Sequence, residues 1–164
     1  CLGELDAVLD TLKYLHHETS CWLEITTLLI PGLNDSDDEL ARLSTWIATE
    51  LSPEVPLHFS AFHPDYQMRD RPPTPPATLT RARDIARRNG LKFVYTGNVH
   101  DRAGGSTHCA KCDQVLIVRD WYQLCDWQLR DDGTCPNCGT ALPGVFDGPP
   151  GNWGARRQAV SIQA

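Results

Sequence analysis

The sequence predicts an α/β fold that forms half of a larger barrel or wound sheet, followed by a small module stapled by metal. Three observations predict it. Helical and strand patterns alternate in single file up to about residue 100. The loops between them are short, which implies right-handed βαβ units and a parallel sheet. Two Cys-x-x-Cys pairs then follow a change of composition near Asp101. The predicted domains are therefore residues 1–103 (partial barrel), 104–142 (four-cysteine module) and 143–164 (a tail rich in Gly and Pro).

The elements follow from the residue pattern. Leu5, Val8, Leu9, Leu12 and Leu15 recur at helical spacing, so roughly the first seventeen residues form an amphipathic helix. His16 and His17 close it as solvated end residues, where a polar group suits the helix dipole. Trp22 to Ile30 is apolar and β-branched, as in a strand covered on both faces. It stops at Pro31-Gly32. Ser36 and Glu39 form a capping box. The helix they start carries Leu40, Leu43, Ile47 and Leu51 on one face, with Trp46 beside them, and ends before Pro53. Pro56 to Phe62 reads as a second strand, with Leu57, Phe59 and Ala61 on one face and His58, Ser60 and Phe62 on the other. Thr74 as N-cap and Pro75 at the first helical position start a third helix, buried through Leu79, Ala82, Ile85 and Ala86 and stopped by Gly90. Leu91 to Thr96 is the third strand. Three strands leave apolar edges exposed, which is why half of a larger sheet is expected.

Gly104-Gly105-Ser106 reads as a linker into the module. Within it, Gln114 to Arg119 and Trp121 to Leu124 form a hairpin, and Asp131-Asp132-Gly133 is a turn. The tail from Pro143 to Trp153 is expected to wrap over a surface, and Ala159 to Ile162 to add a last strand.

The clearest chemistry lies in Cys109-Ala110-Lys111-Cys112 and Cys135-Pro136-Asn137-Cys138. Each pair directs two sulfurs at one ion from a short turn, and two pairs complete a closed tetrahedral site. Gly139 lets backbone amides approach the sulfurs. Two disulfides or four buried thiols are the competing readings. Zinc suits this donor set, and iron in a rubredoxin-like site is the alternative. A filled four-thiolate site has no open position, so it supports structure rather than catalysis. Cys125 is a reserve ligand at best; Cys1 and Cys21 read as buried or incidental thiols.

Composition excludes some functions. The first 103 residues carry ten Lys/Arg against fifteen Asp/Glu, and the rest five against six. Neither part offers a basic surface for nucleic acid. No apolar run is long enough to span a bilayer, and no signal-peptide pattern opens the chain. Seven cysteines, four of them committed to a metal, fit a reducing cytoplasm. The chain opens on Cys1, almost inside a helical pattern, which predicts that it is part of a longer protein.

Four stretches together resemble the C-terminal part of a radical S-adenosylmethionine (SAM) enzyme of the AmmeMemoRadiSam-system type, akin to pyruvate formate-lyase activating enzymes. They are Leu28 to Ser36, with Ile30-Pro31-Gly32-Leu33-Asn34-Asp35 at its centre, Pro56 to Tyr66, Tyr95 to Val99, and the paired knuckles. The resemblance runs along nearly the whole chain in consecutive order. It implies the C-terminal half of a partial (β/α) barrel in which a [4Fe-4S] cluster reduces SAM to a 5′-deoxyadenosyl radical. It also implies an oxidoreductase-like activity of the activating-enzyme kind, a protein or peptide substrate, a Memo-like partner and an N-terminal half of the barrel. The family's Cys-x-x-x-Cys-x-x-Cys ligands and Gly-Gly-Glu stretch are missing here, so this chain by itself is expected to be inactive.

The resemblance assigns Ile30, Pro31 and Gly32 to the strand end that lies against the SAM adenine, and His63 to a histidine near SAM. Asn34 can bond the ligand or start the following helix. His58 points from its strand, and Asp65 and Tyr66 are substrate-side candidates. Pro-Gly after a strand is also an ordinary turn, and a histidine on a strand is also an ordinary hydrogen-bonded core residue. A competing function needs no redox chemistry: a zinc-ribbon binding module whose Trp and Tyr residues recruit a partner protein.

Overall fold

The structure is a computed structural model and describes residues 3–146 and residue 150. Cys1, the tail beyond Phe146 apart from residue 150, and the proposed strand at Ala159 to Ile162 lie outside the described residues. The chain runs α1 (Leu5–Glu18), β1 (Ile25–Leu29), α2 (Asp37–Trp46), β2 (Leu57–Ala61), α3 (Pro76–Arg88), β3 (Val94–Gly97), α4 (Arg102–Gly105), β4 (Thr107–His108), β5 (Val115–Asp120) and β6 (Gln123–Trp127). A π-helical turn, Ile47–Leu51, carries α2 on to Ser52. Two small sheets result. β1, β2 and β3 are parallel in that order, and β4, β5 and β6 are antiparallel. This is a mixed α/β fold, as the alternation predicts. No helix among the described residues is long and apolar enough to cross a membrane.

One face of the parallel sheet is covered by helices. Leu29, Leu57, Phe59 and Val94 meet Leu40, Ile47, Leu79, Ala82 and Ala86 there. Full burial of Phe59 alone is worth roughly 1.5–3 kcal/mol. The opposite face is open. β1 alternates, with Thr26 and Leu28 exposed and Leu29 fully buried. The expectation of a strand covered on both faces is thus wrong for β1: its β-branched residues suit a pleated surface with only one side packed. In register with Thr26 stand His58 and Tyr95, which form a polar row on that open face, with Leu28 and Ser60 in the next row.

Several boundaries differ from the sequence reading for identifiable reasons. The Ser36 hydroxyl does accept from the Glu39 N–H at 3.3 Å, as the capping box predicts. Thr74, however, does not cap α3, whose N-cap is Pro75. Its buried hydroxyl instead donates to the Leu29 carbonyl at 2.6 Å and accepts from the Phe62 N–H at 2.9 Å, tying β1 to β2. Phe62 lies past the end of β2 and is buried, outside the helix-side core. β3 starts at Val94 rather than Leu91. His17 is not merely solvated, since its Nε2 lies 2.8 Å from the Glu50 carbonyl. α1 buries none of its residues fully, and Leu5 stays 69% exposed.

Gly104-Gly105-Ser106 is not a slack linker. Arg102–Gly105 forms one helical turn capped by Asp101, whose Oδ1 accepts from the Gly104 N–H at 2.9 Å. A Cβ on the buried Gly104 would collide with the Thr96 hydroxyl and the Asp101 carboxylate. The turn therefore packs the antiparallel module against the end of β3. In that module β5 and β6 form the expected hairpin, but Trp121 stands in its tip with φ +54° rather than in a strand.

Candidate functional site

The two knuckles have the same local construction. After each second cysteine the backbone turns left-handed, at Asp113 (φ +58°) and Gly139 (φ +71°). Glycine meets that requirement without cost, and Asp is among the residues that tolerate it. Each turn is closed by the same bonds: the Asp113 N–H donates to the Cys109 carbonyl (3.0 Å), and the Gly139 N–H to the Cys135 carbonyl (2.9 Å). Cys109 and Cys135 are buried against Leu116, Ile117 and Leu129. Sequence spacing alone was enough to single out all four cysteines that the fold brings together.

The turns bring the four sulfurs within 4.8 Å of one another. Cys109 Sγ lies 3.5 Å from Cys138 Sγ, and Cys112 Sγ lies 3.7 Å from Cys135 Sγ. A disulfide requires about 2.05 Å. Thiolates about 2.3 Å from one tetrahedral ion sit roughly 3.8 Å apart. The observed spacing fits a shared metal ion. Electrostatics differ among the donors. Burial pushes the Cys109 thiol up to about 11, while the Thr140 hydroxyl and backbone N–H, donating to the Cys138 thiolate, hold it down at about 6. The Asn137 side chain lowers Cys112 in the same way. Cys125 is exposed on β6 and stands apart from this group, and Cys21 is exposed rather than buried.

The other predicted residues fall in two places. Ile30, Pro31, Gly32 and Asn34 share the turn after β1. The Asn34 side chain is spent on that turn: its Oδ1 accepts from the Ile30 N–H at 2.7 Å, and its Nδ2 donates to the Leu28 carbonyl at 2.9 Å. It does not cap α2, whose N-cap is Ser36. Gly32 has φ +74° and donates its N–H to Asp35, while Arg71 reaches the Pro31 carbonyl at 3.2 Å. His63 is exposed just beyond β2, and Asp65 and Tyr66 are exposed in the loop after it.

His58 lies elsewhere. It sits five residues before His63, about 16 Å away along an extended chain. Its Nε2 lies 2.8 Å from Glu24 Oε2, and its ring stacks on Tyr95 at 4.9 Å. These residues line a cleft of about 650 Å³ between the open sheet face and the ribbon, together with Trp22, Arg119 and Trp121. Ile30, Pro31, Gly32, Asn34 and His63 do not line it. Tyr95 ties the two sheets together: its hydroxyl lies 3.0 Å from Thr107 Oγ1, and the Arg119 guanidinium stands 5.9 Å from its ring. Burial pushes its phenol pKa up. The sequence reading passed over Glu24, Tyr95 and Arg119. Alternation along β3 was a usable signal for Tyr95, but nothing local marks the other two.

No family model matches the chain. An uncharacterized protein of Methanocaldococcus jannaschii is 45% identical over 119 residues, which is 73% of this chain and 35% of that protein. The chain spans about a third of the length of the relative it matches.

Proposed function

We propose that this chain is the C-terminal portion of a radical SAM α/β barrel, with a zinc ribbon as its structural appendage. The observation that supports this most is the asymmetric parallel sheet. Such sheets are ordinarily covered on both faces. Here helices cover one face, while Thr26, Leu28, His58, Ser60 and Tyr95 lie on the other, a mostly polar lining for the barrel interior proposed here. On this reading the Ile30–Gly32 turn and His63, at the C-terminal ends of β1 and β2, meet SAM, and further strands pair with the edge of β1. The substrate is a protein or peptide, and a Memo-like protein is a candidate partner.

The residues fit zinc and do not fit the cluster. Zinc bound by four thiolates supplies a cross-link between the knuckles and offers no open position for chemistry. Cys109 and Cys135 anchor it from the ribbon core, and the Thr140 donors favour the Cys138 thiolate. No Cys-x-x-x-Cys-x-x-Cys occurs in the sequence. No step of SAM cleavage is therefore assigned to this chain's own cysteines.

The test uses the whole polypeptide that the gene encodes, reconstituted anaerobically with iron and sulfide. With SAM and dithionite it should release 5′-deoxyadenosine, read by mass spectrometry. Its coding sequence should carry Cys-x-x-x-Cys-x-x-Cys before the residues described. Absence of both the motif and the product would sink the reading. A second reading, a ribbon that recruits a partner protein without redox chemistry, draws on the exposed Trp121 and Tyr122 at the hairpin tip. It would stand if the same polypeptide held zinc but no cluster.

A further inference from the structure

The cleft between the open sheet face and the ribbon contains three charged side chains, and two of them are already satisfied. Glu24 accepts from Trp22 Nε1 at 2.8 Å and pairs with His58 at 2.8 Å, one oxygen for each. Asp101 accepts from the Thr96 hydroxyl and from the Gly104 N–H, both at 2.9 Å, again one oxygen for each. Arg119 differs. Its Nη1 donates to Thr107 Oγ1 at 2.8 Å and to the Gly105 carbonyl at 3.4 Å. Among the described residues, Nε and Nη2 have no acceptor and no carboxylate forms an ion pair with the guanidinium. Neither nitrogen is sealed from solvent. A guanidinium stays charged at every accessible pH, so this is a standing positive charge held rigid by one edge with its other donors unspent.

The walls around it are aromatic. Trp22, Phe93, Tyr95, Trp121, Tyr122 and Trp127 line the same cleft. Its volume of about 650 Å³ suits a small molecule. Trp121 is held in a left-handed backbone conformation, unusual for a bulky residue, and stacks on His100 at 5.2 Å. We propose that this cleft binds a small aromatic anion, with the unspent donors of Arg119 taking a carboxylate or phosphate and the tryptophans holding the ring. Guanidinium donors in a fixed fork match such groups bidentately, and aromatic walls favour a planar body. The cleft is built wholly from residues of this chain, and His58 and Tyr95 place it on the same face that the proposed barrel would enclose.

The test is an NMR titration of the metal-loaded chain, following the Arg119 Nε–H and the Trp22 and Trp121 indole N–H signals. Benzoate and phenyl phosphate are the probes and distinguish carboxylate from phosphate; benzamide is the neutral control. At least one anion should give saturable shifts, with benzamide about tenfold weaker or more. Arg119→Lys keeps the charge but loses the fork, and should weaken binding about tenfold. Because Arg119 also holds Thr107 and Gly105, Trp121→Ala at the exposed tip serves as a second variant; it should weaken the anion while leaving the ribbon's amide spectrum in place. No saturable shift up to about 10 mM, equal binding of benzamide, or unchanged binding in both variants would overturn the proposal.

Discussion

Thr74 shows how much one hydroxyl can decide. It is buried, and it serves a carbonyl of β1 and an N–H beyond β2 at once. Thr74→Val keeps the shape and leaves both backbone groups buried without a partner. Such a loss costs about 1–3 kcal/mol, to be read as a lowered urea midpoint with an unchanged slope. Thr140 plays a comparable part at the four-cysteine cluster. Its donors lower the pKa of Cys138, so that thiolate resists protons to a lower pH than it otherwise would. Metal binding requires thiolates, and acid therefore releases the ion. Thr140→Val removes one donor, raises the Cys138 pKa and moves the release midpoint upward by roughly 0.3 pH unit. A zinc indicator dye followed across an acid titration checks this; an unchanged midpoint would show that the bound thiolate does not feel Thr140.

At the scale of elements, β1 is the sharpest case. Adjacent residues of one apolar run have opposite fates: Leu28 is 44% exposed and Leu29 is fully buried. Leu29→Ala should cost about 2–5 kcal/mol through lost burial and a cavity. Leu28→Ala should change stability by less than about 0.5 kcal/mol, as surface substitutions do. Equal costs in thermal unfolding would mean that the open face is covered in the working protein, as a complete barrel would cover it. The ribbon is the opposite kind of element. Its core contains two of the clustered cysteines, Cys109 and Cys135, beside Leu116, Ile117 and Leu129. So few apolar side chains need a staple.

That dependence shapes the whole molecule. Stripping the ion with a strong chelator should melt β4, β5 and β6 and leave the parallel sheet, because the latter has its own core of Leu29, Leu57, Phe59 and their helix partners. Amide NMR signals of residues 107–142 should collapse on chelation while those of β1, β2 and β3 persist. Persistence of the ribbon signals would show that the metal is not its staple. Elemental analysis should find about one metal ion per chain. The packed turn at Gly104 and the bond between Tyr95 and Thr107 carry the contact between the sheets, so small shifts around β3 are expected as well.

The sequence by itself determined the four-cysteine cluster, the alternation of helix and strand, and the Ser36 cap that depends on near neighbours. These are set by spacing and local chemistry within a few residues, as with Cys135 and Cys138 or Ser36 and Glu39. It also made the strand-end motifs visible, though not their surroundings. Tertiary structure alone decided which face of β1 is bare, that Thr74 is a clamp rather than a cap, that the glycines at 104 and 105 are packed, and that Glu24, His58, Tyr95 and Arg119 share a cleft. Those facts join residues up to 95 positions apart, Glu24 to Arg119. No local pattern encodes such a meeting, because burial and hydrogen-bond partners are settled only when separate elements pack together.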